Sequence, residues 1–216
     1  MATQAEPRAV DADRRPYRFT ADQLWRMIEA GIIPDGVDVE LVGGRIYRMT
    51  KHEPHNFAVA RTVKLLRAIL PAGLHVREEK SMRHGARSIP EPDVAVVPGS
   101  EDVFRPDPPT TSEAALIVEV CVSTRKADYI DKPRLYASAG VPLYWVVDVE
   151  GRKIDAFSEP QGSGCDAGYA RRETFQEAAP VPVVLDGREV GRIAPQDLFP
   201  PPEQPPQRTD KTNPPA

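Results

Sequence analysis

The segment AALIVEVCV at positions 114–122 decides the class of fold, because it is apolar at almost every position. A strand with one solvated face alternates apolar and polar residues, whereas a strand buried on both faces is almost continuously apolar. The segment therefore predicts a central strand covered on both sides. Its one charged residue is Glu119, and a carboxylate buried there costs free energy unless it pairs with a cation or binds a metal. Glu119 is thus a candidate functional residue; the alternative is a structural glutamate satisfied by backbone donors or by a lysine.

Two further acidic residues stand in predicted strands. Asp93 follows Pro92 and opens the strand EPDVAVVP at 91–98, and Glu40 lies in VDVELVGGRIYRM at 37–49, where Gly43-Gly44 predicts a tight β-hairpin. Taken singly, Asp93 could be a turn residue and Glu40 an exposed position of an alternating strand. Three carboxylates that converge repel one another, which raises their pKa values or recruits a counterion. A hard divalent cation such as Mg²⁺ binds carboxylate oxygens and relieves that repulsion.

The other segments predict helices and strands around this central strand. Thr20 and Gln23 form a capping box for a helix at 19–31 that stops at Gly31, and further helices are expected at about 54–70 and within 125–139. Strands are predicted at 74–79, 142–149 and 151–157, and weaker ones near 168–175, 181–185 and 188–193. This order predicts an α/β (α+β) fold, in which helices flank a mixed β-sheet and additional β-hairpins are attached.

Composition divides the chain into one domain and two tails. Of the 24 prolines, seven lie in PPPEQPPQRTDKTNPPA at 200–216, a segment without a large apolar residue. Such a segment cannot bury a core, so we expect 200–216 and the similar segment 1–16 to be disordered, with a folded domain at 17–199. The net charge of −4 disfavours a strongly basic, non-specific nucleic-acid binder but is compatible with a site that collects carboxylates.

The sequence also indicates a cellular compartment. Its longest apolar runs fall far short of the roughly 18 residues that span a bilayer, and the N-terminal segment has no apolar core of a secretory signal. Two cysteines, Cys121 and Cys165, make neither a disulfide framework nor a zinc site. We therefore expect a cytoplasmic protein that does not associate with membranes.

A series of motifs in fixed order resembles a known family. They are VELVGGRI around Glu40, His55 at the start of the second helix, EPDVAVV, LIVEVCVST, and Asp128-x3-Lys132-x3-Tyr136 followed by AGVPLYWVVD at 139–148. In this order and spacing, from about Tyr17 to Phe199, the chain resembles the Uma family of restriction-endonuclease-like proteins in the PD-(D/E)XK nuclease superfamily.

The resemblance implies a restriction-endonuclease-like fold and a metal-dependent nuclease. Asp93 and Glu119 would be metal ligands on adjacent strands, and Glu40 would be an additional acidic ligand. The implied cofactor is Mg²⁺, for which Mn²⁺ can substitute. The implied substrate is nucleic acid, and DNA is the expected form. In such chemistry an activated water attacks a phosphodiester while the cation stabilises the charge on the phosphate.

The chain departs from the superfamily pattern at the catalytic lysine. The pattern has lysine two residues after the glutamate, where this chain has Cys121. Lys132 on the following helix is the expected replacement, since a long flexible ammonium can reach one site from different backbone positions. Lys126 is the other candidate. Because Pro133 disfavours the α conformation in the residue before it, Lys132 could also start a helix that Asp131 caps.

His55 and the oligomeric state complete the expectations. His52 and His55 form an H-x-x-H pair without a third nitrogen or sulfur ligand, so a zinc site is not favoured. His55 at a helix N-terminus is instead a candidate contact to phosphate or to a site carboxylate. Cleavage of both strands of a duplex needs two sites, which favours a homodimer. The alternative function is a catalytically silent module that binds nucleic acid or protein on the same fold, favoured by the missing lysine and the acidic balance.

Overall fold

The computed structural model describes residues 15–49, 51–122, 126–177 and 179–201. Most of the two predicted tails lies outside these ranges, as do Ser123 and Thr124 at the end of LIVEVCVST. The described helices are α1 (Ala21–Glu29), α2 (Glu53–Ile69) and α3 (Lys132–Ser138). The strands are β1 (Val39–Val42), β2 (Arg45–Arg48), β3 (Leu74–Glu78), β4 (Val94–Pro98), β5 (Leu116–Cys121), β6 (Leu143–Asp148), β7 (Lys153–Gln161), β8 (Gly168–Gln176), β9 (Val181–Leu185) and β10 (Arg188–Ile193). No helix in these ranges is both long enough and apolar enough to cross a membrane.

Six strands form one mixed sheet in the order β3-β4-β5-β6-β7-β8. β5 and β6 are parallel, and the other neighbouring pairs are antiparallel. A parallel pair requires a long crossover connection, which here carries the helix that ends in α3. All residues of β5 are buried. The predicted central strand and the predicted mixed sheet flanked by helices are therefore confirmed.

Different elements pack on the two faces of the sheet. One face packs Val118 and Val120 against α2 and the hairpin of β9 and β10. The opposite face packs Ile117 and Cys121 against Tyr136 of α3. Since side chains alternate along a strand, Glu119 belongs to the face covered by α3.

The N-terminal part forms a small layer beside this sheet. Thr20 caps α1 through the predicted box with Gln23. Gly43 and Gly44 have φ angles of 56° and 78°, which suit a two-residue turn between β1 and β2. Leu41 on β1 exchanges backbone hydrogen bonds with Ile89, and this attaches the hairpin to the loop that leads into β4.

The helix before β6 contains a π-helical turn at Ala127–Asp131 that continues directly into α3. The backbone N–H of Lys132 donates to the carbonyl of Ala127, five residues earlier. Proline cannot donate a backbone hydrogen bond and its ring crowds the preceding turn, so the wider π turn gives Pro133 room. The expectation that Asp131 caps a helix starting at Lys132 is wrong: the chain is already helical from Lys126, and the Asp131 side chain makes no capping bond.

Candidate active site

Glu119 is a fully buried carboxylate that pairs with both a lysine and a tyrosine. Its Oε2 lies 2.8 Å from Nζ of Lys132, and the Tyr136 hydroxyl donates a hydrogen bond of 2.6 Å to its Oε1. Burial raises the pKa of Glu119, and the positive charge of Lys132 opposes that shift without cancelling it. A lysine therefore satisfies the Glu119 carboxylate, as expected if Glu119 were a structural glutamate. The same lysine is the residue predicted to be the catalytic cation.

Lys132 lies at the centre of a group of carboxylates. Besides Glu119, its Nζ lies 3.7 Å from Oδ1 of Asp128 and 4.0 Å from Oε2 of Glu40. Burial alone would lower the pKa of Lys132, but the surrounding carboxylates raise it, so the ammonium stays charged. Lys126 is exposed. The structure thus brings Lys132, and not Lys126, to the acidic residues.

Asp93 lies beside Glu119 at the start of β4. Val94 pairs with Val118 in antiparallel register, so one step further along the two strands sets Asp93 across from Glu119. The Oδ2 atom of Asp93 accepts a hydrogen bond of 2.6 Å from the backbone N–H of Val120. That bond fixes the carboxylate where the pairing of β4 with β5 ends.

His55, in the first turn of α2, contacts the other oxygen of Asp93. Its Nε2 lies 3.1 Å from Oδ1 of Asp93. Burial alone would lower the pKa of His55, but the hydrogen bond and the negative charge of Asp93 outweigh it and raise the pKa. His55 therefore contacts a site carboxylate, which is one of the two contacts expected from the sequence. His52 makes no side-chain capping bond at the start of α2 but lines the same cleft.

Glu40 reaches the group from β1 and carries an unsatisfied oxygen. Its Oε2 is buried and has no hydrogen-bond partner within the described residues; the Lys132 ammonium stands 4.0 Å away. Burial raises the pKa of Glu40, with the charge of Lys132 acting in the opposite direction. A buried acceptor without a donor is the kind of atom that a cation or a water would satisfy.

Sequence reasoning missed Glu79, which joins His55 and Asp93. One ligand atom from each of these three residues lies within 4.8 Å of the others. Glu79 follows β3 with a φ of 46°, and its backbone N–H donates to the carbonyl of Asp93. Register could have found it, because Glu78 pairs with Val94 and the next residues outward are Glu79 and Asp93.

One cleft of about 200 Å³ is lined by Glu40, His55, Asp93, Glu119, Asp128 and Lys132, while Glu79 does not belong to its lining. A divalent cation fits the donor set: carboxylate oxygens suit Mg²⁺ and Mn²⁺, and Glu40 offers a buried oxygen that lacks a donor. Asp93 is common to two possible groups of ligands. One group is the predicted set of Asp93, Glu119 and Glu40, and the other consists of Asp93, His55 and Glu79.

Comparisons with known proteins agree with this fold. A crystal structure from Anabaena variabilis, described as "a putative nuclease belonging to DUF820", matches with a TM-score of 0.64 and 17% sequence identity over 84% of this chain and 97% of that one. No curated protein matches the chain. The family model Uma2, described as "Putative restriction endonuclease", matches residues 22–192. The chain therefore belongs to the Uma2 family, as its motifs had indicated.

Proposed function

We propose that this protein is a Mg²⁺-dependent endonuclease that hydrolyses phosphodiester bonds of DNA, with Mn²⁺ as a substitute cation. The observation that carries the proposal is the convergence of Asp93, Glu119, Glu40 and Lys132 on one cleft. These residues come from four different elements of the fold: β1, the start of β4, β5 and the helix that follows β5. Membership of a family described as restriction endonucleases supports hydrolysis of nucleic acid.

Each residue has a role that its contacts support. Asp93, Glu119 and Glu40 would hold the cation, which supplies a Lewis acid for the phosphate and makes a water more acidic. The Lys132 ammonium lies 2.8 Å from Glu119, where it can neutralise charge that develops on the phosphate. His55 holds Asp93 through the 3.1 Å contact and can donate a proton from its ring.

Cleavage of supercoiled plasmid in Mg²⁺ or Mn²⁺ tests the proposal. Asp93→Asn and Lys132→Ala should each lower the rate by roughly 100-fold or more, which is the usual loss for one charge-stabilising group. Lys132→Arg should not restore the rate, because a planar guanidinium does not replace a compact ammonium. The matched controls Asp102→Asn and Lys64→Ala change exposed residues and should cut normally. Equal cleavage by Asp93→Asn would refute the assignment.

Thermal melting separates metal binding from catalysis. A cation that binds only the native state raises the melting temperature. We expect Mn²⁺ to raise it for the parent chain and for Lys132→Ala, since lysine is not a metal ligand here, and to raise it much less for Asp93→Asn.

The rival function is a catalytically silent module on the same fold. Cys121 stands where the superfamily has its lysine, and Glu119 is already paired with Lys132 and Tyr136. These two observations favour the rival. It predicts that purified protein binds DNA or a protein partner without any metal-dependent cleavage in the plasmid assay.

A homodimer is part of the proposal for duplex substrates. Two copies would bring two clefts to the two strands, and most oligomers of a single chain are symmetric pairs. Sedimentation velocity at several protein concentrations measures the oligomeric state directly. A monomer at all concentrations would contradict the proposed homodimer and leave cleavage of one strand at a time.

A further inference from the structure

A second cleft opens beside the candidate active site, and its lining is cationic. It has a volume of about 550 Å³ and lies between the β1–β2 hairpin and the helix at 126–134. Five basic side chains line it: Arg18, Arg45, Lys126, Lys132 and Arg134. The acidic residues in its lining are Glu40 and Asp131. We call it the basic cleft.

The basic cleft and the acidic cleft share one wall. Glu40, Tyr47, Ala127 and Lys132 line both. A ligand that lies along the basic cleft therefore reaches the carboxylates of the neighbouring cleft directly. Because the whole protein has a net charge of −4, a local excess of cations at this place is not a consequence of the overall composition.

Strand pairing explains why the hairpin presents these side chains together. Glu40 pairs with Tyr47, and Val42 pairs with Arg45. Directly opposed residues of an antiparallel pair share a face, so Tyr47 and Arg45 point to the side of the hairpin on which Glu40 lies. From the inner end outward, that face passes from the catalytic carboxylate to an aromatic ring and then to a guanidinium.

The outer cations are available for a ligand. Arg45, Lys126 and Arg134 are exposed, and within the described ranges no carboxylate pairs with any of them. Arg18 differs, because its Nη1 donates to the carbonyl of Gly43 and so holds the hairpin turn. Guanidinium groups bind phosphate oxygens well, since their donors form a fixed fork.

Tyr47 distinguishes the form of nucleic acid that fits. Its side chain is 45% exposed although it is large and apolar, and it stands where the two clefts join. Aromatic side chains beside a positively charged groove bind single strands, because unpaired bases stack on the ring while cations follow the backbone. The volume of the basic cleft is that of a pocket for a small ligand, which suits one or two nucleotides of an unpaired strand.

We infer that the basic cleft binds an unpaired DNA strand next to the scissile phosphate, with Arg45 and Arg134 on phosphates and one base stacked on Tyr47. This inference rests on the proposed function for the identity of the substrate. Only one cleft is needed for a single strand, so it does not depend on a dimer.

Fluorescence anisotropy with labelled oligonucleotides in EDTA tests the inference without requiring cleavage. The parent chain should bind a single strand more tightly than a duplex of the same sequence. Arg45→Ala and Arg134→Ala should each weaken binding at low salt and lower the slope of log affinity against log salt by about 0.7, the value for one phosphate contact on a single strand. The matched control is Arg188→Ala, which changes an exposed arginine at the same position after another two-residue hairpin turn, Asp186-Gly187.

Tyr47 variants test the stacking contact. Tyr47→Ala should weaken single-strand binding by roughly 5- to 150-fold, the equivalent of about 1–3 kcal/mol for one stacked base, while Tyr47→Phe should keep it. The inference is overturned if the duplex binds more tightly than the single strand, or if the arginine variants bind like Arg188→Ala. Plasmid cleavage that persists while single-strand binding is absent would remove this inference and leave the proposed function standing.

Discussion

At the level of single residues, burial and charge act on Glu119 in opposite directions. A carboxylate inside a sheet loses its hydration, and this raises its pKa. The Lys132 ammonium, 2.8 Å away, compensates for the lost hydration, but each of the two charges is then stabilised by the other. Removing one partner of a buried pair costs more than the pair contributes, since the other is left charged and unpaired.

Lys132→Met should therefore destabilise the fold by about 3–5 kcal/mol at roughly pH 8. Without Lys132, the pKa of buried Glu119 rises further above the value it has in the unfolded chain. The folded variant then binds more protons than the unfolded one, so its stability falls as pH rises. Urea denaturation should show the gap to the parent chain widening from about pH 5 to about pH 8. Lys126→Met, at an exposed position, should show no such gap, and a gap that is constant with pH would contradict this explanation.

His55 allows a spectroscopic test of where the cation binds. His55, Glu79 and Asp93 each offer a ligand atom within 4.8 Å of the others, so a cation held by Asp93 can also take the His55 imidazole. Pulsed EPR of the protein loaded with Mn²⁺ should then show coupling to a ¹⁴N nucleus, and His55→Gln should remove it. His52→Gln is the matched control, because His52 lines the same cleft but does not belong to the group of ligands. Coupling that survives in His55→Gln would mean that another nitrogen binds the cation and would contradict the assignment, whereas no coupling in the parent chain would place the cation on carboxylates alone.

At the level of elements, the helix that carries Lys132 is held by contacts on several sides. The Tyr144 hydroxyl on β6 donates to the carbonyl of Asp128, and the Tyr129 hydroxyl donates to Oδ2 of Asp155 on β7 at 2.7 Å. Asp155 also pairs with Lys153 and Arg172. One of the contacts that hold the π-helical turn against the sheet thus ends on the buried carboxylate of Asp155.

Asp155 should make the stability of the fold depend on acidity. Burial alone would raise the pKa of Asp155, but hydrogen bonds from Lys153, Thr174, Tyr129 and Arg172 lower it to about 2. Its contribution is present above the ordinary aspartate pKa of about 3.9 and is lost as pH falls toward 2. Asp155→Asn should cost about 1–3 kcal/mol near neutral pH and progressively less between about pH 4 and pH 2. Urea denaturation across that interval measures the difference, with the exposed Asp166→Asn as control; a difference that does not shrink would contradict the assignment.

At the level of the whole molecule, the candidate active-site residues come from five elements of the fold. Glu40 lies on β1, His55 in the first turn of α2, Asp93 directly before β4, Glu119 on β5, and Lys132 on the helix between β5 and β6. The sheet serves as the platform on which these parts meet. All buried apolar residues in the described ranges lie between Ala21 and Phe199.

A chain trimmed to residues 15–201 should melt at the same temperature as the full chain. The trimmed chain keeps all residues described in the three apolar clusters, and it keeps the hydrogen bond from Arg152 to the carbonyl of Pro200. Differential scanning calorimetry of both chains tests this. A clear fall in the melting temperature would mean that an end of the chain packs on the domain, and would overturn the domain limits of 17–199 drawn from composition.

The sequence by itself determined the features that depend on neighbouring residues. The apolar run around Glu119 specified a central strand, Thr20 and Gln23 specified a helix start, and Gly43-Gly44 specified a hairpin, because periodicity, capping and turn geometry act over a few residues. Only the tertiary structure decided which of Lys126 and Lys132 meets the carboxylates, since a π-helical turn sets the rotation of that helix. It also decided that Glu79 stands beside Asp93 and that Tyr47 joins two clefts. Those contacts depend on strand register and on segments far apart in the chain, and no local pattern encodes them.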